Sequence, residues 1–399
     1  MKNLQIIGII AAVTALAGCS NTSKTQYIPL PVLDLVPITQ DQVVPSSMQK
    51  GFASDNIAAG GDFDFDVFKA VRGRQSICLS PFSLGAALSM AAEGASGATA
   101  DQMWKVLGKE YSKAPEASTV KVANSVWVNK QISILPDYKK TIQGKYNSEV
   151  NNRDFSQKSV VADINRWCSR NTNGKIPSIL DNMPPGMQFM LLNAVYFFDK
   201  WEKPFTRTDK EAFTRLDGVV QQVDMMHQTE RLRYCQNDFF HILELPYESG
   251  DIEMYVLLPR PGVALDDAAA ALSTSRWEGW RKELRTQRVR VSMPKFKLEC
   301  EMDLTGMLRD MGMNLAFGNG ADFSKLSSTP LRIDFVKQKT YIDVNEEGTE
   351  AAAVTGIGMR TTSVAPDVTV DFIANRPFFY IIRSDSTGDI LFIGQVTNL

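Results

Sequence analysis

Few imidazole, thiol or hydroxyl groups in this chain could do covalent chemistry, and their spacing works against a catalyst. There are two histidines, His227 and His241, with no H-E-x-x-H pair and no Gly-rich phosphate loop beside them. Both are read as structural. Gly94-Ala95-Ser96-Gly97 is one residue short of the G-x-S-x-G elbow that presents a nucleophilic serine. Ser47-Met48-Gln49-Lys50 and Ser54-Asp55-Asn56 match two parts of a serine acyl-enzyme site, but no K-T-G follows them. Both lie in a polar, proline-punctuated stretch, and a nucleophile must be held rigidly against its base. No catalytic residue, metal site or cofactor is assigned, and the chain is not expected to be an enzyme.

One segment stands out for a different reason. Residues 344–356 read VNEEGTEAAAVTG. The alanines favour helix, while Gly348, Gly356 and Gly358 bracket them tightly. That reading gives a short helix followed by a surface loop. A period of two gives another. Thr349, Ala351, Ala353, Thr355 and Ile357 would share one face of a strand, with no charge and no bulk before Ile357. An unpaired charge there would forbid burial. The segment is therefore compatible with two lives, as a loop in water and as a buried central strand.

The rest of the chain must position that segment. Its 399 residues carry 43 basic and 45 acidic side chains, a balance that argues against an electrostatic nucleic-acid binder. The 44% hydrophobic share argues against disorder. Lys2 followed by the apolar Leu4–Leu16 run is too short to span a bilayer and reads as a signal peptide. Leu16-Ala17-Gly18-Cys19 resembles a bacterial lipobox. That resemblance implies removal of residues 1–18 and a lipid-modified Cys19. Ser20, in place of Asp, resembles sorting to the outer membrane of a Gram-negative bacterium. Residues 19–54 read as a flexible tether and 55–399 as one α+β domain. Cys78, Cys168, Cys235 and Cys300 are widely spaced, with no C-x-x-C pair, and are expected as buried free thiols.

Helical spacing marks 62–71, 83–93, 162–171 and 303–311; the 83–93 stretch is small and apolar enough to be buried all round. Strand patterns mark 121–128, 190–198, 252–258, 289–297, 339–344, 378–382 and 390–396. The continuous apolar run at 190–198 is expected at the centre of a sheet. Ser386-Thr387-Gly388 is a turn signal between the last two strands.

At this point the chain resembles the inhibitory serpins, collinearly over 62–399. The hinge is Glu346-Glu347-Gly348-Thr349-Glu350-Ala351-Ala352-Ala353. Ser80-Pro81-Phe82-Ser83, Asn193-Ala194-Val195-Tyr196-Phe197, Met225-Met226-His227, Leu245-Pro246-Tyr247, Met293-Pro294-Lys295-Phe296, Arg376-Pro377-Phe378-Phe379 and Leu391-Phe392-Ile393-Gly394 match in order. The resemblance implies a serpin fold, with three β-sheets, about nine helices and an exposed reactive-centre loop. It also implies suicide inhibition. A target serine protease, or in some cases a cysteine protease, attacks the loop and becomes acylated. The hinge residues Glu346, Gly348, Thr349, Ala351, Ala352 and Ala353 then carry it into the central sheet.

By the same resemblance, Glu346 and Lys295 pair near the top of the opening sheet, with Trp201 beside them. Ser80, Ser83 and Asn193 match the region where the sheet parts. Gln338 stands where the family often has His; Gln can still donate and accept. Counting forward from Glu346 by the family's spacing places the cut between Thr362 and Ser363. Counting back from Phe372 shifts it by one residue. Arg360 would instead suit a trypsin-like pocket with an acid at its base, and Thr361 lies between. A loop offering several overlapping sites would make a broad inhibitor, of trypsin-like and elastase-like enzymes alike. The partners implied are target proteases and, through the lipid alone, a membrane; a monomer is expected. The other reading is a non-inhibitory relative that binds or stores a ligand, but such relatives often carry bulky or charged hinge residues.

Overall fold

The computed structural model describes residues 62–112, 120–349 and 368–399. All of them fall in one unit, Ser54–Leu399. The signal peptide, the tether and Cys19 lie outside the described residues. So do Ala351, Ala352, Ala353 and the bonds between Met359 and Ser363.

Two hydrogen-bonded sheets organise these residues. The first runs β3 (Glu149–Arg153), β2 (Val120–Asn129), β4 (Phe189–Phe197), β12 (Phe335–Asn345), β13 (Gly348–Thr349), β5 (Asp199–Lys200), with β11 (Phe296–Asp303) also on β12. The second runs β1 (Ile77–Leu79), β16 (Ile390–Val396), β15 (Phe378–Ser384), β9 (Ile252–Pro259), β8 (Phe240–Pro246), β7 (Val220–Gln236), β10 (Arg285–Pro294), β14 (Val370–Ile373), with β6 (Arg207–Thr214) on β7. The expected third sheet is joined to its neighbour along β7. At 17 residues, that strand pairs with β8 at one end and with β6 at the other. The helices among the described residues are α1 (Phe63–Val71), α2 (Pro81–Gly94), α3 (Gly97–Leu107), α4 (Pro136–Tyr146), α5 (Ser159–Asn171), α6 (Leu265–Ala270), α7 (Thr274–Glu283) and α8 (Thr305–Asp310), with a 3-10 turn at Leu315–Phe317. This is the α+β architecture expected from the sequence.

The 289–297 strand expected from alternation is two strands. β10 ends at Pro294 and β11 begins at Phe296 in the other sheet. Lys295 sits at the crossing.

The central elements follow from composition. Every residue of β4 is buried, because both faces of the strand are covered. On one face Leu191, Val195 and Phe197 join the main core. On the other, Met190, Leu192, Ala194 and Tyr196 meet Val160, Ile164, Trp167 and Cys168 of α5. Those four α5 residues form a single stripe, the amphipathic pattern that lays a helix on a sheet. α2 starts where Ser80 accepts a hydrogen bond from the Ser83 N–H, with Pro81 in the first turn. Its small residues let it pack against β2, β4 and β16, between the sheets, and only Glu93 of the helix is partly exposed.

Candidate functional site: a parallel seam and the hinge above it

β4 and β12 are direct neighbours and run parallel, in register from Met190↔Phe335 to Tyr196↔Tyr341. Parallel neighbours in one sheet need a long connection between them, and here β5 to β11 intervene in the chain. The seam can therefore part without breaking a tight turn.

A buried amide belt crosses the seam. Gln338 and Asn193 face one another in register. Gln338 Oε1 accepts from the Ser80 N–H at 2.9 Å, and its Nε2 donates to Ser80 O at 2.9 Å and to Asn193 Oδ1 at 2.6 Å. Asn193 Nδ2 donates in turn to Ser83 Oγ and Asn124 Oδ1. Ser83 Oγ also donates to Asn124 Oδ1 at 2.9 Å. Ser80, Ser83, Asn193 and Gln338 are all buried, so the belt must be satisfied internally. The sheet-opening residues expected from sequence are thus brought together. Asn124 was missed, because a lone Asn in an alternating strand looks like an outward polar residue.

The seam changes character at its top. β12 ends at Asn345, turns through Glu346 and Glu347, and returns as β13. Gly348 pairs with Asn345 on one side and Lys200 on the other; Thr349 pairs likewise with Val344 and Asp199. Gly348 and Thr349 of the expected hinge are therefore already a strand of the sheet. The strand reading of this segment holds for Thr349, and Gly348, read as a bracketing glycine, belongs to the same strand. A Cβ at Gly348 would collide with the Asp199 carbonyl oxygen, and its φ of 155° lies where glycine is favoured. Thr349 is fully buried, and its Oγ1 lies 2.7 Å from Tyr247 Oη. It faces inward, as the period of two requires.

Trp201 and Lys295 anchor the turn. Trp201 Nε1 donates to Asn345 O, its backbone N–H donates to Glu347 O, and its ring stacks on Tyr247 at 4.4 Å. Lys295 Nζ is 3.0 Å from Glu346 Oε2, and Thr208 Oγ1 donates to Glu346 Oε1 at 2.5 Å. Burial pushes the Glu346 carboxyl up. The hydroxyl of Thr208, its own backbone N–H and Lys295 outweigh that and hold it below the usual glutamate range. The ion pair is partly exposed, so its worth is modest. Thr208 and Tyr247 had no assigned role in the sequence; contacts so distant along the chain leave no local signal.

Cys78, Cys168 and Cys235 are buried free thiols, as expected, while Cys300 is partly exposed. Cys78 N–H points at Cys300 Sγ, 3.2 Å away. Burial raises the thiol of all four, which makes them poor nucleophiles. His241 Nδ1 is 2.6 Å from Tyr234 Oη, and burial with Arg260 and Arg376 keeps that ring below the usual histidine range.

A family model described as "Serpin (serine protease inhibitor)" matches residues 58–399. An uncharacterized serpin-like protein of Thermococcus kodakarensis is 34% identical over 403 residues, covering 95% of this chain and 93% of its own length. Intracellular coagulation inhibitor 2 of Tachypleus tridentatus is 35% identical over 352 residues, covering 82% of this chain and 86% of its own. Among solved structures, the thermophilic serpin tengpin in its native state superposes with a TM-score of 0.79 at 32% identity, over 85% of this chain and 92% of that one. Members of this family are in general protease inhibitors rather than catalysts. On the family model and these relatives, the chain belongs to the serpin family.

Proposed function

We propose that this chain is a covalent, loop-insertion inhibitor of serine proteases. The observation that carries the reading is the position of β13. A strand that begins at Gly348 and Thr349, antiparallel to β12, points down a seam whose two walls are parallel. One further antiparallel strand there would replace a single parallel ladder with two antiparallel ones, the slightly stronger pairing. The small, uncharged face from Thr349 through Ala351 and Ala353 suits that slot. The name of the Tachypleus tridentatus relative, intracellular coagulation inhibitor 2, supports the same reading.

In the proposed reaction the protease serine attacks a carbonyl between Met359 and Ser363. The peptide C–N bond breaks, the new amine leaves with its proton, and an ester joins serpin to protease. Insertion of the freed segment then distorts the protease before water can cleave the ester. About 14 inserted residues correspond to roughly 45 Å of strand. Purified protein mixed with trypsin or elastase should give an SDS-resistant complex. Release of active protease after stoichiometric loop cleavage, for every protease tried, would refute the reading. Mass spectrometry of the released C-terminal peptide decides among Arg360, Thr361, Thr362 and Ser363.

The proposal extends to location. Acylated Cys19 would anchor an exported, monomeric domain at an outer membrane. Metabolic labelling with palmitate should mark the wild-type chain and not Cys19→Ser; equal labelling of both would remove the anchor.

A further inference from the structure

Away from the seam, one group of ligating side chains converges among the described residues. Asp209 and Glu211 stand two apart on β6, and His227 lies on the neighbouring β7. Their ligand atoms all lie within 4.8 Å of one another. His227 Nε2 is 3.1 Å from Glu211 Oε1 and 3.7 Å from Asp209 Oδ2. Zinc bound tetrahedrally through nitrogen and oxygen holds its ligand atoms about 3.4 Å apart. The two separations bracket that value.

The imidazole is also aimed. Its Nδ1 is 3.0 Å from Ser292 Oγ on β10. A ring that donates Nδ1–H to that hydroxyl turns the Nε2 lone pair toward the carboxylates, the usual arrangement behind a metal-bound histidine. The His227 side chain is 14% exposed, and Nε2 is itself buried without a hydrogen bond of good geometry among the described residues. Buried polar atoms are rarely left so. The two carboxylates are 48% and 40% exposed, which leaves an entry path from solvent.

We propose that Asp209, Glu211 and His227 form a divalent-cation site of the zinc type, with its fourth position open to water. An imidazole with two carboxylates and no thiolate in the cluster suits zinc or cobalt better than calcium. Arg207 Nε holds Asp209 Oδ2 at 2.6 Å, so a cation must compete with that guanidinium or take the other oxygen. The site has a mechanical consequence. Thr208 lies between Arg207 and Asp209 on the strand, and its hydroxyl holds Glu346. A metal bridging β6 to β7 tightens the strand that grips the base of the hinge. Given the inhibitory reading, zinc then slows insertion and raises the fraction of loop cut as plain substrate.

The test is a cobalt(II) and zinc(II) titration of the full chain, with competition by a chromophoric chelator. One equivalent should bind, with tetrahedral cobalt absorption and no thiolate charge-transfer band. His227→Gln and Glu211→Gln should each weaken binding at least about tenfold. Arg207→Gln should tighten it, and His241→Gln should leave it unchanged. A thiolate band, or wild-type affinity in both His227→Gln and Glu211→Gln, overturns the site. Near-native circular dichroism of the variants secures the comparison, and partly exposed Glu211 guards against a folding defect at His227. The binding arm stands apart from inhibition, so a protein that forms no covalent complex still decides it. Where complexes do form, zinc should lower their yield in wild type and not in His227→Gln.

Discussion

Gln338 closes the seam with one amide and three hydrogen bonds, each to a group with no water to fall back on. Gln338→Leu keeps similar bulk and strands the Ser80 N–H and Asn193 Oδ1. Each orphaned group costs about 1–3 kcal/mol. The first chemical unfolding transition, followed by tryptophan fluorescence, should move to clearly lower denaturant. An unmoved midpoint would mean the belt contributes nothing. A second residue sets a pH dependence. Burial raises the Glu253 carboxyl to about 8, with Asp385 and Glu244 adding to the rise and Arg281 and Arg383 opposing it. Its Oε2 has no hydrogen-bond partner among the described residues. The folded state thus holds this proton more tightly than the unfolded chain, whose carboxyl titrates near 4.5. Its contribution to stability is complete below about pH 4.5 and is lost as pH rises through about 8. Glu253→Gln, a neutral mimic, should match wild type in melting temperature at pH 4.5 and exceed it at pH 9. A gain that is the same at both pH values would contradict this account.

At the scale of elements, the decisive piece is the hairpin of β12, the Glu346–Glu347 turn and β13. Gly348→Ala places a methyl against the Asp199 backbone, which cannot move aside as a flexible side chain could. The variant should lose the β13 pairing, show faster proteolysis in the 350–363 segment, and keep the rest of the fold. Unaltered proteolysis would show that the two-residue strand does not hold the hinge. Thr349→Arg aims a charge at the buried slot beside Tyr247. On the inhibitory reading, it should turn the protein from inhibitor to substrate while the fold is kept; undiminished complex formation on SDS gels would exclude insertion. Elements of this kind were legible only in part. α2, β4, β15 and β16 could be read from sequence because long apolar stretches leave little ambiguity. β7 could not, since charges interrupt its alternation over 17 residues. α7 could not either, because it buries only Trp277 and Trp280 against an otherwise polar surface. The alternation around Pro294 runs on unbroken although the chain changes sheet there; local pattern carries no information about which partner a strand will find. Thr349 could be placed from period and Asn193 from motif, while Thr208, Tyr247 and Asn124 depend on distant chain and left no local signal.

For the whole molecule, the inhibitory reading proposed above implies a fold held short of its best pairing. β4 and β12 share one parallel ladder below Tyr196 and Tyr341, and a third strand stands between their extensions only above it. α5 packs on one face of this sheet, with its Ile164 and Trp167 in one hydrophobic cluster with Ala194, Tyr196 and Tyr341. Adding a strand would have to repack that cluster as well as break the Gln338–Asn193 bond, and both costs would hold the intact chain in place. Once the loop is cut, the hinge is tied at one end only. Each new net hydrogen bond contributes about 1 kcal/mol, and a full-length strand makes many, so the inserted state should lie well below the intact one. Nicking the purified protein with a protease that it fails to trap should raise its melting temperature sharply, read by far-UV circular dichroism with both fragments still associated. The same nick in Gly348→Ala should raise it less, because the first register pairs cannot form without displacing the Asp199 backbone. Coincident melting curves for cut and uncut wild-type protein would leave no energy stored in the closed seam, and the trapping mechanism would have nothing to drive it.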